Sequence, residues 1–187
     1  MNTRSLYLAF IPWVALLGLV ACDSADSPQG AGDQSLLEIA EQGDLSALDA
    51  LLKRSRQVDV RDSCDWTPLM KAALNGHQDV VERLLTAGAS LDAVDNGGYT
   101  AMMLAASNNH AGIVDLLLRH GAMVDHQEQT QGWTALIWAA GKGHAATVET
   151  LLRHGADITL KDFAGQTAAD HAREAGQAGL LARLAAS

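Results

Sequence analysis

His77, His110 and His144 recur at near-constant spacing, and three imidazoles in series raise the question of a zinc site. Zinc holds its ligand nitrogens about 2.0–2.1 Å away, whereas packed helices stand roughly 8–10 Å apart. If each imidazole belongs to its own helical unit, successive ones cannot share an ion. They read instead as structural residues at inter-helix turns. His120 and His154 repeat the same relation, and His126 and His171 stand singly. No metal site is expected. Cys64 has the type of a nucleophile, but a nucleophile needs a base within hydrogen-bond reach. Its neighbour is Asp65, a carboxylate that raises a thiol's pKa. Cys64 therefore reads as an exposed, incidental thiol. Gly-x-Ser-x-Gly, phosphate-loop and His-Glu-x-x-His patterns do not occur. The expectation is a non-enzymatic protein with no catalytic residue and no cofactor. A hydrolase or redox protein using Cys64 is the competing reading, in which Cys64→Ser abolishes activity and leaves the fold intact.

The elements that place these residues show in a period. The segments DWTPLMKAALNGHQDVVERLLTAGASLDAVD, GYTAMMLAASNNHAGIVDLLLRHGAMVDHQE and GWTALIWAAGKGHAATVETLLRHGADITLKD superimpose. Thr67, Thr100, Thr134 and Thr167 fall 33, 34 and 33 residues apart. Each threonine stands where a helix N-cap accepts a backbone N–H, and Pro68 takes the favoured first helical position. The pairs Ala72–Ala73, Ala105–Ala106 and Ala139–Ala140 are small enough for close helix approach. Val80, Val81, Leu84 and Leu85 form one apolar face of a second helix. Ile113, Val114, Leu117 and Leu118 repeat it, and Val148, Leu151 and Leu152 repeat it again with Thr147 as the weak member. Gly88, Gly121 and Gly155 follow where a left-handed C-cap calls for glycine.

This pattern resembles the ankyrin repeat across residues 35–187. The resemblance implies an all-α solenoid of helix-turn-helix units with short β-hairpin loops. The expected units are an N-cap repeat over 35–62, full repeats over 63–95, 96–128 and 129–162, and a C-cap repeat over 163–187. The first unit opens with a Ser35/Glu38 capping box. Three departures stand out. The family's TPLH reads TPLM, TAMM, TALI and TAAD, so the inter-repeat bonds of that histidine must be absent or replaced. Asn109 stands in place of a turn glycine, a position asparagine tolerates. The stretch HQEQTQGWT carries one extra residue and lengthens one hairpin.

The amino-terminal region has a different logic. Arg4, an apolar run over Leu6–Val20 and the small Ala21 give the order of a secretory signal. LVAC then resembles the lipobox of bacterial lipoproteins, which implies a signal peptide over 1–21 and a lipidated Cys22. Residues 22–34 read as a flexible tether holding the folded part on the order of 20 Å from the bilayer. Asp23 resembles the inner-membrane retention signal of some Gram-negative lipoproteins, so the chain is expected on the periplasmic side of the envelope. Lipidation of Cys22 leaves Cys64 a free thiol. Without the leader, 12 basic and 22 acidic residues give a formal charge of −10. That balance disfavours a nucleic-acid partner, since such binding relies on Lys and Arg.

What remains is recognition of a protein. Trp66, Tyr99 and Trp133 precede the threonines and stack along one edge, where aromatics serve as interface hot spots or pack on the next hairpin. The family's binding positions carry over to hairpin tips and to the inner edge of the first helices. Here they are Leu74, Asn75, Ser107, Asn108, Lys142 and Phe163, with Trp138 expected to pack. The reading is a lipid-anchored module binding an unidentified protein partner. One alternative is a dedicated protective or inhibitory partner of an envelope enzyme. Another is an architectural tether with no specific ligand, for which changes in the aromatic row are silent.

Overall fold

The computed structural model describes residues 31–54 and 57–185, and within them the chain forms helices in five consecutive pairs. They are α1 Ala31–Gln42 and α2 Leu45–Leu52, α3 Pro68–Asn75 and α4 Gln78–Thr86, and α5 Ala101–Ser107 and α6 Ala111–Arg119. The last two pairs are α7 Ala135–Gly141 with α8 Ala145–Arg153, and α9 Ala168–Glu174 with α10 Ala178–Ala185. First helices pack on first helices in the order α1, α3, α5, α7, α9, and α2, α4, α6 and α8 form a second row behind them. The alanine pairs are fully buried in the first row, which lets those backbones approach closely and makes that row the inner side of the stack. Val80, Val81, Leu84, Ile113, Val114, Leu117, Val148 and Leu151 bury the second row against it.

Each helix begins as its sequence dictates. The hydroxyls of Thr67, Thr100, Thr134 and Thr167 accept from the backbone N–H of Met70, Met103, Ile137 and Asp170 at 3.2–3.3 Å. Gly88, Gly121 and Gly155 end the second helices at φ 92°, 94° and 83°. The first helix departs from the expectation: it begins at Ala31, not at Ser35. Residues 31–34, expected within the tether, are helical, because a helix anchored by the buried Leu36, Leu37 and Ala40 extends at little cost into preceding residues. Cys22, Asp23 and the leader lie outside the described residues.

The bonds that the family's missing histidine would make are replaced from another position. Nε2 of His77, His110 and His144 donates to the carbonyls of Glu41, Leu74 and Ser107, one unit back, at 2.9, 3.0 and 3.1 Å. Gly43 and Gly76 make room for this. Each has positive φ, and a Cβ would sit 2.5 Å from the His77 ring or 2.6 Å from that of His110. Asn109 occupies the equivalent turn at φ 62°, and its side-chain oxygen accepts from the Thr147 hydroxyl at 3.0 Å. Thr147, the polar member of an otherwise apolar face, is thus the partner of the one non-glycine turn.

Each hairpin is organised around one carboxylate. Asp62 accepts from the backbone N–H of Cys64 and Trp66, Asp95 from Gly97 and Tyr99, and Asp162 from Ala164 and Gln166, all at 2.8–2.9 Å. The lengthened hairpin uses Glu128 instead. Its two oxygens accept from the N–H of Thr130, Gln131 and Trp133 and from the Thr130 hydroxyl. One extra methylene serves one extra residue, and Glu128 is only 1% exposed. The hairpin bases close through single backbone bonds, and the bridge Lys161–Thr167 is the sole ladder element among the described residues.

Glu128→Asp is expected to lower stability by about 1–3 kcal/mol, because buried N–H groups lose a charged acceptor. Deleting Gln131 in the same chain should recover part of that loss. Urea unfolding of both variants checks it, and strictly additive effects would contradict the length match.

Candidate protein-binding face

The aromatic row is an inter-repeat seam more than a bare patch. Trp66, Tyr99 and Trp133 are each half-buried against the core. Trp66 lies under the Lys71 ammonium, 5.0 Å from its ring centre, and Lys71 in turn pairs with Glu41 and Asp62. The Tyr99 hydroxyl reaches the Thr130 hydroxyl of the next hairpin at 3.3 Å, and burial pushes the phenol upward from its ordinary pKa. Trp133 donates its indole N–H to Asp162 of the next hairpin at 3.1 Å and packs edge-on against Trp138 and His171. Of the two readings of this row, packing on the neighbouring hairpin accounts for Tyr99 and Trp133.

The inner-edge polar residues are also partly engaged. Asn108 donates to the Leu74 carbonyl at 2.9 Å, and Lys142 donates to that of Ser107 at 2.9 Å. Ser107 turns its hydroxyl to Leu104, and Asn75 bonds back to Lys71 within its own helix. Asn75, Asn108 and Lys142 remain exposed, whereas Leu74 and Ser107 are half-buried. The tips are tied to one another: Asn96 N–H reaches the Cys64 carbonyl, Gln129 that of Gly97, and Phe163 that of Gln131, at 2.9–3.2 Å. Phe163 ends this chain with its ring over Gly132, and it is 70% exposed. The face therefore comes as one stitched edge from Ser63 to Phe163, with its largest exposed apolar group at the C-terminal end.

Cys64 requires a correction. It is neither exposed nor a free thiol: it is 7% exposed and disulfide-bonded. Its backbone N–H donates to the Asp62 carboxylate at 2.9 Å. Cys22, the other cysteine of the sequence, lies outside the described residues. Among the histidines, His154 donates to Asp115 at 2.8 Å on the outer row, and that bond, with help from Arg119, holds the Asp115 carboxyl below its ordinary pKa. His126 meets the Gly98 carbonyl at 2.9 Å. Among the described residues no three His, Cys, Asp or Glu side chains converge as metal ligands.

Two features of the face escaped sequence reasoning. The first is the carboxylate five or six residues before each threonine, visible in retrospect as Asp62, Asp95, Glu128 and Asp162. The second is the trio Trp133, Asp162 and His171, in which Asp162 also accepts from His171 Nε2 at 2.8 Å. No local spacing announces it, since the trio spans two units.

Helix pairs repeating at 33–34 residues, capped by threonine and stacked in two rows, define a solenoid of repeats. The chain matches the family model for ankyrin repeats in three overlapping copies, over residues 36–128, 79–162 and 121–186. It belongs to the ankyrin-repeat family, whose repeats are protein-interaction modules. No curated protein matches the chain.

The last unit should be the acid-labile part. Thr167 and Arg173 hold Asp170 down at about 2, below the ordinary 3.8, and Asp162 is also lowered, its bonds to Gln166 and His171 outweighing burial. Between the folded and unfolded values the unfolded chain binds more protons. Their stabilisation is therefore present above the ordinary value and lost as pH falls from about 4 toward 2. Hydrogen exchange of α9 and α10 should accelerate over that range before that of α5 and α7. Asp162→Ala should destabilise by about 3 kcal/mol at neutral pH and flatten the acid response.

Proposed function

We propose that this chain is a non-enzymatic protein-binding module, displayed at the bacterial envelope by a lipid on Cys22. The observation that carries the binding reading is the pre-ordered edge ending in Phe163, where hydrogen bonds between successive tips fix the backbone before any partner arrives. A surface ordered in advance loses little conformational entropy on docking. Phe163, Asn75 and Leu74 form the contact set. Trp133 and Tyr99 support it from beneath. Confinement to a membrane raises the local concentration of anchored or periplasmic partners.

The anchor rests on LVAC and the polar segment that follows. Among the described residues no helix is long and apolar enough to cross a membrane. A lipid thioether would use the sulfur of Cys22, one of the sequence's two cysteines.

Intact mass of the envelope-derived protein checks the anchor. Acyl mass on an N-terminal Cys22 is the expected result. No acyl mass would remove the anchor from the proposal. For the binding face, cross-linking in the envelope should recover a protein with the native chain. The Phe163→Ser/Asn75→Arg variant, folded by circular dichroism, should lose at least nine-tenths of it. Equal recovery by both would displace the interface.

A further inference from the structure

Lys142 lacks the carboxylate partner that six other lysines and arginines of the stack have. Lys71 pairs with Glu41 and Asp62, Arg83 with Asp49, Arg119 and Arg153 with Asp115, Arg173 with Asp170, and Arg183 with Glu149. The Lys142 ammonium lies 5.3 Å from the centre of the Trp138 ring, and its hydrogen bond goes to the neutral carbonyl of Ser107. No carboxylate of a described residue stands within ion-pair distance of it. Partial burial pushes this amine below the ordinary lysine value, the sign of a cation set against an aromatic wall without a counter-ion. Two of its three N–H groups remain to be used.

Beside it stands a second donor without an acceptor. Trp138 Nε1 is buried and has no hydrogen-bond partner, a state that costs about 1–3 kcal/mol for an ordinary polar group. Tyr99 and Trp133 flank the Trp138 ring at centroid distances of 6.2 and 4.6 Å. An unpaired cation and an unpaired N–H on one aromatic shelf together call for an acceptor that carries negative charge.

We infer that the inner face between the third and fourth helix pairs takes a carboxylate from an acidic side chain of the protein partner, with Lys142 as counter-ion and Trp138 Nε1 as second donor. This rests on the binding-module reading and names the chemistry of its partner. A carboxylate supplies the two oxygens that two donors can share. Its flat group and apolar stem fit against the Tyr99, Trp133 and Trp138 rings. A phosphate is a poorer fit, because one lysine offsets one charge while Glu128 and Asp162 repel a dianion from the adjoining hairpins. The chain's net charge of −9 does not prevent the contact, since exposed charges beyond about 8 Å are largely screened at physiological salt. The indole nitrogen is covered in the unbound chain, so docking must expose it.

The test selects phage-displayed random dodecapeptides on the full chain and measures the enriched peptide by calorimetry. Expected are sequences enriched in Asp or Glu beside an apolar residue. Replacing that acid with its amide, or Lys142 with Met, should each weaken binding at least tenfold, and Lys142→Arg should restore most of it. The Trp138 indole N–H resonance should shift on saturation by the native peptide. Enriched peptides that lack acids, or that bind the Lys142→Met chain unchanged, overturn the inference. If those peptides still depend on Phe163, the binding-module reading survives. If no peptide is enriched, both fall.

Discussion

The stack depends on bonds that reach back one unit. A single helix pair cannot bury its own apolar face, so its order comes from its neighbour. Here the joint is an imidazole N–H on a carbonyl in the last turn of the preceding first helix, made by His77, His110 and His144. A helix C-terminus otherwise leaves such carbonyls without a partner. The same contact requires a left-handed, uncrowded turn beneath the ring, which Gly43 and Gly76 provide. Turn, cap and interface are therefore one constraint. Where Asn109 breaks the rule by adding a side chain, Thr147 answers it from the following unit.

A second set of reaches runs along the opposite edge. Asp59, Asp92 and Asp125 accept from the backbone N–H of Ser90, Met123 and Asp157 in the next unit, at 2.9–3.0 Å. With the hairpin carboxylates, they give the acidic composition a structural share beyond solubility. Much of the negative charge is bound to backbone donors, where a charged acceptor forms stronger bonds than a neutral one. The cations on the outer row offset part of the remainder, through pairs such as Arg83–Asp49 and Arg183–Glu149. Arg61 and Lys142 bond neutral carbonyls and take no part in this balance.

What could be read from the sequence was whatever repeats at fixed offset. The four threonine caps, the alanine pairs, Pro68, the three C-cap glycines and the left-handed Asn109 all lie where spacing put them. Residues whose role depends on a neighbour about 30 positions away were harder. The aromatic row was visible, but its division between packing and display was not, because that turns on Asp162 meeting the Trp133 indole from 29 positions away. Cys64 was misjudged because its neighbours in sequence are polar while its surroundings in space are not. The start of α1 was placed late for a related reason: Ser35 and Glu38 make a plausible cap, and the packed leucines behind them carry the helix past it.

The extra residue between the third and fourth units leaves the helices on either side in phase. Glu128 gathers the surplus backbone into the tip, and Thr134 caps α7 just as Thr100 caps α5. Length change in this chain is therefore modular: the rim absorbs an insertion and the pitch of the stack does not register it. Such a rim can be lengthened or rewritten to reach a new surface while the column behind it keeps its geometry. The Glu128 hairpin is where this chain has already done so.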